Sequence, residues 1–92
     1  MITAQRQVVL KRLKTIEGHL RGIEHMVETD AYCIDVLKQT HAVQKALDKV
    51  NSLIMANHLN ECVTSAIRGS DPKERERVIG EIVDVFDMSH KM

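Results

Sequence analysis

The fold is decided by residues 31–68, AYCIDVLKQTHAVQKALDKVNSLIMANHLNECVTSAIR, which contain neither glycine nor proline. Five apolar residues of this segment follow a heptad spacing, three of them seven residues apart and two at the offset position: Val36, Val43, Val50, Leu47 and Ile54. This spacing is typical of a helix with one apolar seam. Arg68 and Gly69 then form a C-terminal helix signal. The sequence therefore predicts one long helix from about residue 31 to residue 68.

Such a helix is too long to be covered by its own chain. At 1.5 Å per residue it measures about 55 Å, whereas the radius of gyration of a compact chain of this size is about 12–13 Å. The rest of the 92 residues cannot cover that length, so much of the apolar seam needs another copy of the chain. The simplest arrangement is an antiparallel four-helix-bundle dimer built from two helical hairpins. The sequence therefore predicts an obligate oligomer.

A shorter helix is predicted on each side of the long one. The first, from about residue 4 to residue 28, carries an unbroken heptad seam: Val9, Leu13, Ile16, Leu20, Ile23 and Val27. Thr29 or Asp30 is predicted to cap the long helix. Pro72 begins a third helix that runs to about residue 88, and five of its residues are predicted to face inward: Val78, Ile79, Ile82, Val83 and Phe86. We therefore predict an all-α, three-helix protomer with a long central helix, in a single domain of residues 1–92.

Composition and charge narrow the classes of function. Basic and acidic residues number 13 each, so the net charge is zero, and the positive charge is concentrated before residue 24. No apolar run is long enough for a membrane span, the N-terminus lacks the apolar region of a signal peptide, and two cysteines are too few for a secreted disulfide scaffold. We therefore expect a cytoplasmic protein. The sequence has no nucleophile elbow, phosphate loop or paired carboxylate motif, so an enzyme is not expected.

Three residues of the long helix have the chemistry of a metal site. His58 and Cys62 are four residues apart, so a helix places them on one face. Cys33 lies 25 residues before His58, or about 37 Å along a helix, which is too far for one ion within one chain. In an antiparallel dimer whose two-fold axis passes near residues 46–47, however, Cys33 of one subunit faces the His58–Cys62 turn of the other. The predicted dimer would therefore contain two equivalent sites.

The donor atoms of this site indicate the metal. Two thiolates and one imidazole form a soft set of three ligands, which suits Cu(I). A structural Zn(II) site needs a fourth ligand, for which Glu61 or Glu81 would be the candidates. Iron–sulfur clusters generally need more cysteines. Because binding requires thiolates and a neutral imidazole, the affinity for the metal should fall as the pH falls.

Two motifs of this chain resemble those of the copper-sensing operon repressor family, whose members also include sensors of nickel or cobalt, formaldehyde and persulfide. The first-helix motif is RLKTIEGHLRGI at residues 12–23. The sensing motif is Tyr32-Cys33, followed by HLNEC at residues 58–62. The resemblance covers nearly the whole chain. It implies a transcriptional repressor, a dimer of dimers that binds operator DNA when metal-free and releases the DNA when Cu(I) binds.

Within this family, the ligand pattern is similar to that of the copper sensors. Nickel or cobalt sensors have a histidine near the N-terminus and a histidine in place of the last cysteine, whereas residues 2–4 here are Ile-Thr-Ala and residue 62 is cysteine. Formaldehyde sensors favour a proline after the initiator methionine, where this chain has Ile2, and lack the second cysteine. Persulfide sensors keep both cysteines without the histidine, and His58 is present here. The resemblance therefore implies Cu(I) as the inducer.

The resemblance also implies which residues contact DNA. Members of the family use basic residues of the first and second helices, which correspond here to Arg12 and Lys49, with Lys14 and Arg21 as additional candidates. A tetramer would repeat each of these positions four times, so a neutral chain would still present a basic surface. Binding to DNA through such a surface should depend strongly on the salt concentration.

Two further residues correspond to groups that surround the ligand histidine in the family. Tyr32 directly precedes Cys33, and Glu81 lies in the third helix. Glu81 is expected to hydrogen-bond the nitrogen of His58 that does not bind the metal, because such partners orient a ligand. A link of this kind to the third helix would couple metal binding to the shape of the protein.

Two other functions fit the same residues. One is a repressor of the same fold that responds to persulfide or an oxidant through Cys33 and Cys62. A Cys33–Cys62 crosslink between subunits, detected by mass spectrometry, would favour it. The other is a copper-buffering protein with no role at DNA, which a failure of the metal-free protein to bind operator DNA would favour.

Overall fold

The chain is mainly helical. The structure is a computed structural model that describes residues 3–90, and it describes side chains for residues 3–88. In chain order the helices are α1 (Thr3–Glu28), α2 (Cys33–His58), α3 (Thr64–Arg68) and α4 (Pro72–His90), and a π turn (Leu59–Val63) joins α2 to α3. Residues 3–90 contain no strand, and the all-α prediction is confirmed. The predicted domain of residues 1–92 extends beyond the described residues at both ends.

The end of α1 differs from the prediction, because Thr29 and Asp30 terminate α1 instead of capping α2. Asp30 adopts a left-handed backbone conformation with φ of 56°. The Asp30 N–H donates to the oxygen of Val27, and the Ala31 N–H donates to the oxygen of Met26. This is the pair of hydrogen bonds of a Schellman motif. Aspartate is one of the few residues other than glycine that enters the left-handed region readily.

The hydrogen-bonding pattern of the predicted long helix is not α-helical throughout, because a π turn at Leu59–Val63 separates α2 from α3. The long helix begins at Cys33, two residues later than predicted, and the carbonyl oxygen of Tyr32 accepts hydrogen bonds from the N–H groups of Asp35 and Val36. It ends at Arg68, as predicted. Between these ends, the π turn replaces one turn of α-helix with a wider turn closed by bonds five residues apart.

The start of α4 agrees with the prediction. Pro72 is its first residue, where the missing N–H of proline costs nothing. Asp71 Oδ1 accepts a hydrogen bond of 3.0 Å from the backbone N–H of Lys73 and so satisfies one N–H group of the first turn.

The chain divides into two compact units, Met1–Met55 and Ala56–Met92. In the first unit, α1 packs against α2 through residues that lie seven apart along each helix: Val9, Ile16, Ile23, Val43 and Val50. In the second unit, a smaller core is formed by Val63, Ala66 and Val78, with Ile82 partly buried against it. Each unit therefore has an apolar core of its own.

Two residues of each predicted seam are not covered within the chain. Leu20 and Val27 of α1 are 44% and 61% exposed, and Leu47 and Ile54 of α2 are 40% and 38% exposed. These four residues lie at offset positions of the heptads, whereas the fully buried residues lie at intervals of seven, and Leu13 and Val36 are partly buried against them. The apolar surface left on α2 belongs to the seam that the sequence predicts to pack against another copy of the chain, and α1 leaves further apolar surface uncovered.

The same pattern corrects the prediction for the third helix. Val78 is 1% exposed, but Ile79, Val83 and Phe86 are 49%, 51% and 61% exposed. The periodicity identified the apolar side of α4 correctly but did not show that its own unit covers only part of that side. No helix within residues 3–90 is both long enough and apolar enough to cross a membrane.

Candidate metal centre

His58 and Cys62 are carried by adjoining elements. His58 is the last residue of α2, and Cys62 lies inside the π turn. The turn is closed by the backbone N–H of Thr64, which donates to the oxygen of Leu59. Cys62 is an exposed free thiol, and the His58 side chain is 32% exposed. A soft thiol and an imidazole one turn apart are thus both accessible to a metal ion.

Glu81 of α4 lies beside the His58 ring. Its Oε2 is 3.9 Å from His58 Nε2, which is an ion-pair distance when the imidazole is protonated and is longer than a hydrogen bond. The family resemblance implied that these two residues are neighbours, and the structure brings them close.

Arg77 holds the carboxylate of Glu81 from the other side. It donates to Glu81 Oε1 at 2.5 Å and also to both carboxylate oxygens of Glu74. The hydrogen bond from Arg77 lowers the pKa of Glu74, and the hydrogen bond to Glu74 raises the pKa of Arg77. The Glu81 carboxylate therefore lies between the Arg77 guanidinium and the His58 imidazole. We call this approach of Glu81 of α4 to His58 at the end of α2 the polar link.

Asn57, which the sequence analysis did not single out, is the buried polar residue of this region. It is only 6% exposed. Its Nδ2 donates to Glu61 Oε2 at 3.3 Å, and its Oδ1 is buried without a hydrogen-bond partner among the described residues. Nothing in the sequence distinguishes it from a surface asparagine of a helix. Its bond to Glu61 runs alongside the His58–Cys62 pair, one residue earlier.

Cys33 and Tyr32 lie at the start of α2, in the first unit. Cys33 is an exposed free thiol, and the Tyr32 side chain is 68% exposed. Tyr32 caps the helix through its backbone oxygen, which accepts bonds from Asp35 and Val36. Tyr32 thus fixes the start of the helix that carries the Cys33 thiol.

No three histidine, cysteine, aspartate or glutamate side chains come close enough to hold a metal ion within residues 3–88 of one chain. The donors nevertheless fit Cu(I) by their chemistry, since two exposed thiols and an accessible imidazole are present. A site that joins Cys33 of one subunit to His58 and Cys62 of another stays a prediction.

The four basic residues predicted to contact DNA are all exposed and lie in the first unit. Arg12 borders a groove of about 440 Å³ that also involves Ala46 of α2, and Lys49 follows Ala46 by three residues, on the same helical face. Lys14 and Arg21 are seven residues apart and share a different face of α1, because residues two apart in a helix point in nearly opposite directions. Helical position therefore places Lys49 one turn from the groove that Arg12 borders, and Lys14 and Arg21 on another face of α1.

Comparisons with known proteins agree with this picture. Residues 5–88 match the model of the metal-sensitive transcriptional repressor family. The chain is 48% identical, over 72% of its length, to the copper-sensing transcriptional repressor CsoR of Mycobacterium tuberculosis H37Rv, and this match spans only 56% of the relative. It is 43% identical to CsoR of Bacillus subtilis 168, over 89% of this chain and 78% of the relative.

The fold is similar to that of a solved structure. The copper-sensing repressor CsoR of Geobacillus thermodenitrificans NG80-2, solved with Cu(I), superimposes with a TM-score of 0.85 at 39% identity, and the match covers 96% of this chain and 88% of that one. The match spans little more than half the length of CsoR of Mycobacterium tuberculosis H37Rv and most of the length of the solved structure.

Proposed function

Because this chain belongs to the family of metal-sensitive transcriptional repressors, we propose that it is a Cu(I)-responsive repressor. It binds operator DNA when metal-free and releases the DNA when Cu(I) binds. It works in the cytoplasm and has no catalytic activity. The observation that carries this proposal is the accessible His58–Cys62 pair at the end of α2 and in the π turn, because the histidine distinguishes the copper pattern from that of a persulfide sensor.

The proposed metal site spans two subunits. Cys33 of one subunit and His58 and Cys62 of the other would hold Cu(I), which suits two thiolates and one imidazole. The uncovered apolar residues of α1 and α2 supply the contact that brings the two chains together as an antiparallel dimer. Two dimers then form the tetramer that presents the basic residues to DNA.

Coupling between the metal site and DNA would use the polar link to α4. Glu81 lies 3.9 Å from His58 Nε2 and is held by Arg77. A His58 ring turned toward the metal would bring its other nitrogen N–H to a carboxylate that is already in place. Since coupling is reciprocal, a metal that weakens DNA binding must itself bind more weakly to the DNA-bound protein.

The direct test of this function is a titration of operator affinity with Cu(I) under anaerobic conditions. Fluorescence anisotropy of labelled operator DNA gives the affinity, and absorbance at thiolate-to-copper charge-transfer wavelengths gives the metal occupancy. We expect full occupancy to weaken operator binding about 10- to 100-fold, the usual size of an allosteric coupling. Unchanged affinity for DNA at full occupancy would contradict the proposal, and a titration of the same reductant without copper is the control.

Removing the basic groups of Arg12 and Lys49 should weaken operator binding in a salt-dependent way. In Arg12→Ala and Lys49→Ala we expect at least about a tenfold loss of affinity and a shallower dependence on salt, because each lost phosphate contact lowers the slope by about one. The measurement is the operator affinity of the metal-free protein at several salt concentrations.

Lys73→Ala is the matched control for these two variants. Lys73 is also exposed but lies in α4, outside the proposed DNA surface. It should bind DNA as the parent protein does. If the salt curves of Arg12→Ala and Lys49→Ala were parallel to the parent curve, these residues would not contact phosphates.

A thiol-responsive repressor is the second candidate function, because both cysteines are exposed free thiols. Treatment with persulfide would then release operator DNA and leave a Cys33–Cys62 link between subunits, visible by mass spectrometry. Persulfide without effect, together with release by Cu(I), would favour the copper sensor. A copper-buffering protein would bind Cu(I) but no operator DNA in any state.

A further inference from the structure

The π turn between α2 and α3 is closed by a side chain as well as by the backbone. Thr64 Oγ1 donates to the oxygen of Leu59, five residues earlier, at 2.7 Å, and the Thr64 backbone N–H donates to the same oxygen. A carbonyl oxygen has two lone pairs and can accept both. Elsewhere in the helices, hydroxyl groups donate to oxygens three or four residues back, as do those of Thr15, Thr40 and Ser52. The hydroxyl of Thr64 therefore donates across the π turn, to an oxygen five residues back.

This turn decides the direction of Cys62 relative to His58. A π turn contains one residue more than a turn of α-helix, and one residue corresponds to a rotation of about 100° around the helix axis. His58 lies immediately before the turn, and Cys62 lies within it. If residues 59–63 returned to an α-helical pattern, the thiol would change its direction relative to the imidazole although the spacing in the sequence stayed the same.

We propose that Thr64 is a positioning residue for the metal site. Its hydroxyl stabilises the π turn, and the π turn sets the Cys62 thiol relative to the His58 imidazole. We do not propose Thr64 as a metal ligand. Its hydroxyl acts on the site through the hydrogen bond to the oxygen of Leu59. The role of Thr64 in the metal site rests on the proposed Cu(I) function. The stabilisation of the π turn by its hydroxyl concerns the metal-free chain and does not.

The variants that test the inference differ only in the hydroxyl or the methyl group of residue 64. Thr64→Val keeps the branched shape and removes the hydroxyl, whereas Thr64→Ser keeps the hydroxyl. Thr15→Val removes a hydroxyl that donates four residues back in an ordinary turn of α1, so it is the matched control. Circular dichroism and thermal unfolding establish that each variant is folded.

The first measurement uses the metal-free full chain. NMR couplings across hydrogen bonds identify the carbonyl group that accepts the backbone N–H of residue 64 in the parent protein and in each variant. In the parent protein, Thr64→Ser and Thr15→Val, we expect the acceptor to be Leu59. In Thr64→Val we expect it to shift to Asn60, four residues back, as in an α-helix. An acceptor that remains Leu59 in Thr64→Val would overturn the inference whether or not the protein binds copper.

The second measurement is the Cu(I) affinity of the same proteins, from anaerobic competition with a chromogenic Cu(I) chelator. We expect Thr64→Val to bind Cu(I) about tenfold or more weakly, the usual effect of losing a group that orients a ligand, and Thr64→Ser to recover most of the affinity. X-ray absorption should also show fewer nitrogen ligands in Thr64→Val. A shifted acceptor with unchanged affinity and ligands would overturn the positioning role, and a parent protein that binds no Cu(I) would instead overturn the proposed function.

Discussion

Replacing Cys62 with serine is expected to lower the affinity for Cu(I) on the order of 1,000-fold, well beyond the 10- to 100-fold effect of losing a group that only orients a ligand. Cys62 is an exposed free thiol, so the substitution should not disturb the packing of the chain. Serine has nearly the shape of cysteine but is a poor ligand for a soft metal ion. Operator binding by the metal-free variant should be unchanged, and Cu(I) should no longer release the DNA.

Two further variants separate loss of a ligand from loss of structure. Ser65→Ala changes an exposed residue of α3, three positions after Cys62, and should bind Cu(I) and DNA as the parent protein does. His58→Ala should keep part of its affinity for Cu(I) through the two thiolates but should lose the release of DNA. If Cys62→Ser bound Cu(I) with the parent affinity, the metal site would have to lie elsewhere.

The helices could be predicted from the sequence because their signals are local. A heptad spacing records which side of a helix is apolar, and the buried residues Val9, Ile16 and Ile23 follow that spacing. The spacing does not record what covers the apolar side. For this reason Ile79 and Phe86 are predicted from the spacing to face inward, whereas the structure leaves them exposed within their unit.

The departures from regular helix could not be predicted, because they depend on a choice between hydrogen-bond partners. Asp30 adopts a left-handed conformation that glycine more often adopts, and no neighbouring residue in the sequence indicates this conformation. The π turn differs from an α-helix only in the acceptor of each N–H, so its composition carries no signal. Thr64 contributes to that choice through its hydroxyl, which is visible only in the folded chain.

The candidate site was partly predictable for the same reason. A spacing of four residues places His58 and Cys62 about one helical turn apart, but the direction of the thiol depends on the π turn, which the spacing does not indicate. The approach of Glu81 to His58 depends on the packing of α4 in the second unit, and only the family resemblance suggested it. The burial of Asn57 depends on tertiary packing as well, and neither spacing nor resemblance indicated it.

Mixing two inactive variants is expected to restore Cu(I) binding, which is the strongest test that the site spans two subunits. Cys33→Ser and Cys62→Ser each lack one ligand in both sites of their own dimers. In a mixed dimer, one site carries both defects and the other carries none, because a two-fold axis exchanges the contributions of the subunits. Unfolding and refolding an equal mixture should therefore recover about a quarter of the high-affinity sites, as measured by competition with a Cu(I) chelator.

Recovery of binding must disappear when the two chains cannot associate. Leu47, 40% exposed in the single chain, lies beside the proposed two-fold axis, so Leu47→Lys in both variants places two unpaired charges in an apolar contact, which is strongly unfavourable. Sedimentation should then give the monomer mass of 10.5 kDa and no restored site. Ser52→Lys adds the same charge at an exposed position on another side of α2 and should leave the recovery intact. Restored binding by the Leu47→Lys monomers would show that one chain holds the metal alone, and an unrestored mixture of the dimeric variants would show that Cys33 and Cys62 do not share a site.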